Sequence, residues 1–184
     1  MSIQFRDLTA NEIDVRIGQI KPNGIVLLLY KDARCDMAIL DETVGAENWE
    51  REHYDCKGNL FCKVGINVNF GKEGAFRDMV YKSDCGTESN TEKEKGEASD
   101  SFKRACVNWG IGRELYTAPF IWVSAKDKDG NPNYKLNDKG KCNDDFRVMK
   151  VDCEDKRITT LLIGNYTLGK RVYGYVEVKD DSNG

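Results

Sequence analysis

At 184 residues, 40% hydrophobic and 32% charged, the chain is long enough to bury a core and is not of disordered composition. It has no apolar run near the roughly 18 residues of a membrane span, and Met1-Ser2-Ile3-Gln4-Phe5-Arg6-Asp7 has no basic-then-apolar leader, so a cytosolic protein is expected. A net charge of −3 argues against coating nucleic acid by bulk charge and leaves room for a local basic groove.

Phe5 to Ile20 opens with a capping box, Thr9 with Glu12 three residues on. Ile13, Ile17 and Ile20 then fall at helical spacing with Val15 off the stripe, which predicts a short helix ended by Pro22-Asn23-Gly24. Ile25 to Tyr30 is a strand candidate. Asp32 to Val44 reads as a second helix, with Asp32 as cap, Ala33, Met37, Leu40 and Val44 on one stripe, and Gly45 as terminator.

Asn48 to Cys56 reads as a strand. Leu60 to Phe70 alternates with period two, Leu60, Cys62, Val64, Ile66, Val68 and Phe70 against Phe61, Lys63, Gly65, Asn67 and Asn69. A hairpin turn at Gly71-Lys72-Glu73-Gly74 leads to a third strand, Ala75 to Lys82. Thr91 to Trp109 is a long helix that buries Ala98, Phe102, Ala105, Cys106 and Trp109 and is broken by Gly110 and Gly112.

Beyond Pro119, residues 126–145 read as an exposed loop rich in Gly, Asn, Asp and Lys. Phe146 to Cys153, Arg157 to Ile163 and Arg171 to Val178 read as further strands. The expected class is α+β: a three-stranded antiparallel β-meander packed on a long helix, with a small C-terminal β extension. Residues 1–116 form the expected core domain, and 117–184 the β-rich extension.

Most enzyme chemistry lacks its residues. There is no phosphate-cradling loop of the Gly-x-x-x-x-Gly-Lys-Ser/Thr kind, and Gly110-Ile111-Gly112 lacks the third glycine of a dinucleotide turn. His53, the one histidine, would have to carry any triad alone. The seven cysteines include no Cys-x-x-Cys pair, so reduced thiols are expected, and Cys56 and Cys62 beside His53 read as small core hydrophobes before they read as a zinc set. Asp144-Asp145 and Asp180-Asp181 are acidic pairs that a metal-dependent nuclease could use, and solvated charge is the plainer reading. No cofactor, metal or catalytic residue is expected.

The segment from Glu94 to Tyr116, EKGEASDSFKRACVNWGIGRELY, presents Lys103-Arg104 beside a buried aromatic stripe and carries Arg113 past a Gly-flanked turn. By chemistry alone this is a solvated helix face. The segment nevertheless resembles the signature helix of the single-strand annealing superfamily of Rad52 and its phage relatives of the Sak type. Glu97-Ala98 begins the match, Asp100 and Phe102-Lys103-Arg104-Ala105 continue it, and Trp109-Gly110 closes it. Tyr30 to Trp49, Asn59 to Gly74 and Leu8 to Ile20 resemble other parts of the same family, so the likeness covers Leu8 to Tyr116.

The resemblance implies a ring or filament of identical subunits that binds single-stranded DNA and anneals complementary strands without ATP, in recombination and repair, in the cytosol of a bacterial host. It implies an inner phosphate groove with Lys103, Arg104, Arg34 and Arg113, and an outer site with Lys72, Lys82 and Lys93. Two departures bear on these sites. Cys35 stands where the family has an arginine, with Arg34 adjacent, and Cys85 stands at a position expected to be basic, with Lys82 nearest. Phe61 and Tyr54 are candidates to stack bases. The implied partners are single-stranded DNA, further copies of the chain, and a single-strand-binding protein or an exonuclease. A small metal-dependent nuclease, and a repair scaffold of the same fold without annealing, are the alternatives.

Overall fold

The computed structural model describes residues 3–87 and 93–177, and nine strands in two sheets dominate them. In chain order the elements are β1 (Asp14–Lys21), β2 (Gly24–Tyr30), α1 (Ala33–Val44), β3 (Trp49–Cys56), β4 (Asn59–Asn67), β5 (Met79–Cys85), α2 (Lys93–Trp109), β6 (Ile121–Ser124), β7 (Phe146–Glu154), β8 (Arg157–Asn165) and β9 (Lys170–Val176). The expected fold class is thereby corrected. The protein is mostly β, with a six-stranded sheet that nearly closes on itself, and not a three-stranded meander on a long helix with a small extension.

By packing, the chain forms two units. Met1–Asp7 and Asp32–Arg113 make one, and Leu8–Lys31 and Glu114–Gly184 make the other. In the first unit, Asp32 caps α1 by accepting from the Arg34 amide at 2.9 Å. Gly45 ends it with φ +85°, its own amide donating to the Asp41 carbonyl. β3 and β4 form a hairpin whose two turn residues, Lys57 and Gly58, both have positive φ, matching the right-handed twist of the strands.

The sheet order is β3-β4-β5, and α2 packs on β4 and β5. Cys62, Val64 and Ile66 of β4 are buried with Phe102, Ala105 and Cys106 of α2. Trp49 stacks on Phe102 at 6.1 Å, and the Trp109 indole N–H donates to the Val64 carbonyl at 3.0 Å. β5 starts later than the strand expected at Ala75, because Val68 to Asp78 is a wide connection closed by the Val68 amide on the Asp78 carbonyl.

The second unit holds the sheet β6-β2-β1-β7-β8-β9, antiparallel throughout. Ile25, Leu27, Ile121, Val123, Phe146, Val148, Ile158, Leu161 and Ile163 fill its inner side. The edge strands β6 and β9 approach each other, and the Tyr173 hydroxyl donates to the Phe120 carbonyl at 3.3 Å.

The helix read over Phe5 to Ile20 is not present. The Thr9–Glu12 capping box forms, but it closes only a three-residue 3-10 turn, Ala10–Glu12. Asp14 onward is strand β1. Val15, which fell off the helical stripe, was the discriminating residue. Ile13, Val15 and Ile17 are spaced by two and turn inward, while Asp14 and Arg16 are exposed. Pro22-Asn23 is then a hairpin turn into β2, not a helix terminator.

Candidate functional site

Lys103 and Arg104 are consecutive on α2 and so point about 100° apart. Lys103 is half-buried and has no hydrogen bond or ion pair among the described residues. Arg104 reaches β5, its Nε 3.4 Å from Asp84 Oδ1. Asp84 also accepts from Asn108 Nδ2 at 3.3 Å. This carboxylate competes with any phosphate for Arg104, through a single-pronged, half-exposed pair of the kind worth about 0–1 kcal/mol.

The C-terminal end of α2 gathers two further cations. A helix leaves its last carbonyls without intrahelical donors, and positive side chains are favoured there. Lys82 Nζ donates to the Asn108 carbonyl at 2.8 Å and lies 4.6 Å from the centre of the Trp109 ring. Arg113 Nη2 donates to the Val107 carbonyl at 3.0 Å and to the same Asn108 carbonyl at 3.1 Å. Gly110 and Gly112, at φ +103° and +67°, turn the chain back so that Arg113 can reach. Lys82 and Arg113, which the resemblance assigns to different DNA sites, therefore converge on one oxygen.

The remaining candidates stand apart. Arg34 lies in the first turn of α1, exposed, 3.9 Å from Asp32. Lys72 is in the exposed connection before β5 and donates to Asn69 Oδ1 at 2.7 Å. Lys93 opens α2, and its side chain lies outside the described residues. Tyr54 and Phe61 are cross-strand partners stacked on each other at 5.6 Å, on the sheet face turned away from α2.

That outer face is acidic as well as aromatic. Lys63 pairs with Glu52 at 2.7 Å and sits 5.0 Å from the centre of the Tyr81 ring. Tyr81 donates to Glu50 at 2.6 Å, and this hydrogen bond pushes its phenol above the usual range. Glu50 and Glu52 oppose a phosphate on this face, which suits bases better than backbone. The sequence reading missed Asp84, Asn108, Lys63 and Tyr81. The alternation of β4 marks Lys63 as a neighbour of Phe61, but which side chains of β5 and α2 meet is not readable from spacing.

The residues set aside for other chemistry are structurally engaged. His53 Nε2 lies 3.1 Å from the Ala98 carbonyl and so acts as a donor there. Cys62 is buried, and desolvation pushes its thiol up to about 11, which disfavours a metal-binding thiolate. Asp144 accepts from Asn165 and from the Lys135 amide, and Asp145 pairs with Arg147 at 2.6 Å. Asp180-Asp181 lies outside the described residues. Among the described residues no group of three or more His, Cys, Asp or Glu is placed to hold a metal, and no helix is long and apolar enough to cross a membrane.

A family model described as "Rad52/22 family double-strand break repair protein" matches residues 6–134. No curated protein and no solved structure matches the chain.

Proposed function

We propose, from the premise that this chain belongs to the Rad52/22 family of double-strand break repair proteins, that it binds single-stranded DNA and anneals complementary strands without ATP. The family match over residues 6–134 is the observation that carries this reading. The geometry supports it around α2, where Lys103 has no acidic partner among the described residues, Arg104 faces β5, and Lys82 of β5 and Arg113 meet at the helix's C-terminal end. Lysine offers phosphate a point charge and arginine a two-pronged donor.

Annealing runs downhill because base pairing supplies the free energy, so a protein that holds strands with their bases outward needs no nucleotide and no covalent step. We read the chain as a homo-oligomer of the phage, Sak-like branch, working in the cytosol of a bacterial host, with a single-strand-binding protein or an exonuclease as partner. That assignment rests on the resemblance of Glu94 to Tyr116 to the signature helix shared by the family and its phage relatives.

The test is annealing of two complementary fluorescent oligonucleotides without ATP and with EDTA present. Acceleration over the spontaneous rate is expected. Binding without acceleration would reduce the protein to a DNA-repair scaffold, and absence of both would overturn the reading.

A further inference from the structure

The six-stranded sheet of the second unit carries an outward face that the α2 cluster does not use. Strand register aligns one residue from each of five strands. Tyr30 of β2 is opposite Asp14 of β1, Asp14 opposite Arg147 of β7, Arg147 opposite Gly164 of β8, and Gly164 opposite Arg171 of β9. Directly opposed residues share a face, so this is a single row across the sheet, about 19 Å long at the usual strand spacing.

Side chains beside the row complete an aromatic and basic surface. Arg16 lies 4.8 Å from the centre of the Tyr30 ring, and Arg147 lies 5.0 Å from that of Tyr166. Tyr30 is 37% exposed, Tyr166 52% and Met149 50%. Gly164 lets these groups lie close to the sheet, since a Cβ there would meet Met149 Sδ at 2.9 Å and Tyr166 Cε2 at 3.3 Å.

Tyr166 is held in place by its own backbone. Its amide donates to the Asp145 carbonyl at 2.7 Å, and the buried Asn165 before it donates to the Asn133 carbonyl at 3.0 Å. The ring borders two clefts, one lined by Asp14, Arg16 and Arg147, the other by Met149, Lys170 and Arg171.

We propose that this face is a second contact surface for single-stranded DNA, separate from α2, in which Tyr166 and Tyr30 stack bases while Arg16 and Arg171 hold phosphates. It rests on the reading that the chain handles single strands. Charge selects the occupant. Arg16 and Arg171 have no ion pair among the described residues, whereas Asp145 holds Arg147 and Asp127 holds Lys170 at 2.8 Å. Asp14 repels phosphate from the middle of the row and accepts from base amino groups, so bases and not backbone lie over it. Rings paired with guanidinium planes are platforms on which any base can stack. Arg147, Tyr166 and Arg171 lie beyond residues 6–134, so the family match does not assign them.

The experiment uses the full chain and a single-stranded oligonucleotide carrying 5-iododeoxyuridine, photo-crosslinked and mapped by mass spectrometry of peptides. Two sets of crosslinks are expected, one on the α2 peptide and one on the peptide containing Tyr166. Tyr166→Ala with Arg171→Ala removes the second set, keeps the first, and weakens binding about tenfold, whereas Tyr166→Phe keeps both. Circular dichroism confirms that the variant is folded, and light scattering reads its assembly. Crosslinks confined to α2 would overturn the second surface and leave the binding function standing. A folded double variant that has lost its native oligomer mass would make the face a contact between copies and overturn the proposal. No crosslink at either peptide would remove the binding function and the second surface together.

Discussion

Two adjacent side chains of α2 meet different circumstances. Lys103 has no ion pair among the described residues, and Arg104 spends part of its capacity on Asp84. Identical motif membership therefore does not make them equivalent donors. The cysteines divide in the same way. Cys62 and Cys106 are fully buried, and the Cys62 thiol is pushed up to about 11 by desolvation, whereas Cys56 is exposed on β3. Thiolate is the reacting species, so at neutral pH alkylation of the native protein is expected at Cys56 first, with Cys62 and Cys106 unmodified until the protein unfolds. Peptide mapping after a short iodoacetamide pulse checks this, and early labelling of Cys62 would contradict the packing of β4 against α2.

At the scale of elements, β5 and α2 are held by a close backbone approach. The Gly86 amide donates to the Leu60 carbonyl at 2.9 Å, and Glu97 Oε1 accepts from the Leu60 amide at 3.0 Å. A Cβ on Gly86 would lie 2.2 Å from the Glu97 carbonyl oxygen, an atom of the helix backbone that cannot swing aside. Gly86→Ala is expected to push the end of β5 away from α2 and cost about 1–3 kcal/mol, read as a lower melting temperature. An unchanged melting temperature would mean that strand and helix are not in that contact. The region before β2 shows how an element can be misread. Its three isoleucines fit a helix, and only the position of Val15 together with the pairing partners of β1 selects a strand.

A whole chain with net charge −3 that binds a polyanion must do so through local clusters, because its average field repels DNA. Binding is therefore expected to fall steeply with salt, by roughly 0.7 in log K per log salt for each phosphate contact to a single strand. Lys103→Ala combined with Arg104→Ala should reduce that slope by about 1.4 and weaken all sequences about equally. Anisotropy titrations at several salt concentrations measure it. A folded double variant with an unchanged slope would show that these two residues do not touch phosphate.

Features that rest on neighbours in the chain are legible in the sequence. Asp32 and Gly45 bound α1, the period-two run around Val64 is β4, and Gly110 follows the last residue of α2, because caps, alternation and glycine turns act within a few residues. The capping box at Thr9 was equally legible, although it closes a single turn. Tertiary structure alone decided that Asp14–Lys21 is a strand and that its hairpin joins β6 and β7 in one sheet. It also decided that Arg104 meets Asp84, that Lys82 and Arg113 share the Asn108 carbonyl, and that Tyr30 and Arg171 fall in one row. The strand partners of β2 in β6 and of β1 in β7 lie about 100 and about 130 residues away. Such pairings are fixed by the free energy of the whole sheet and leave no mark on local spacing.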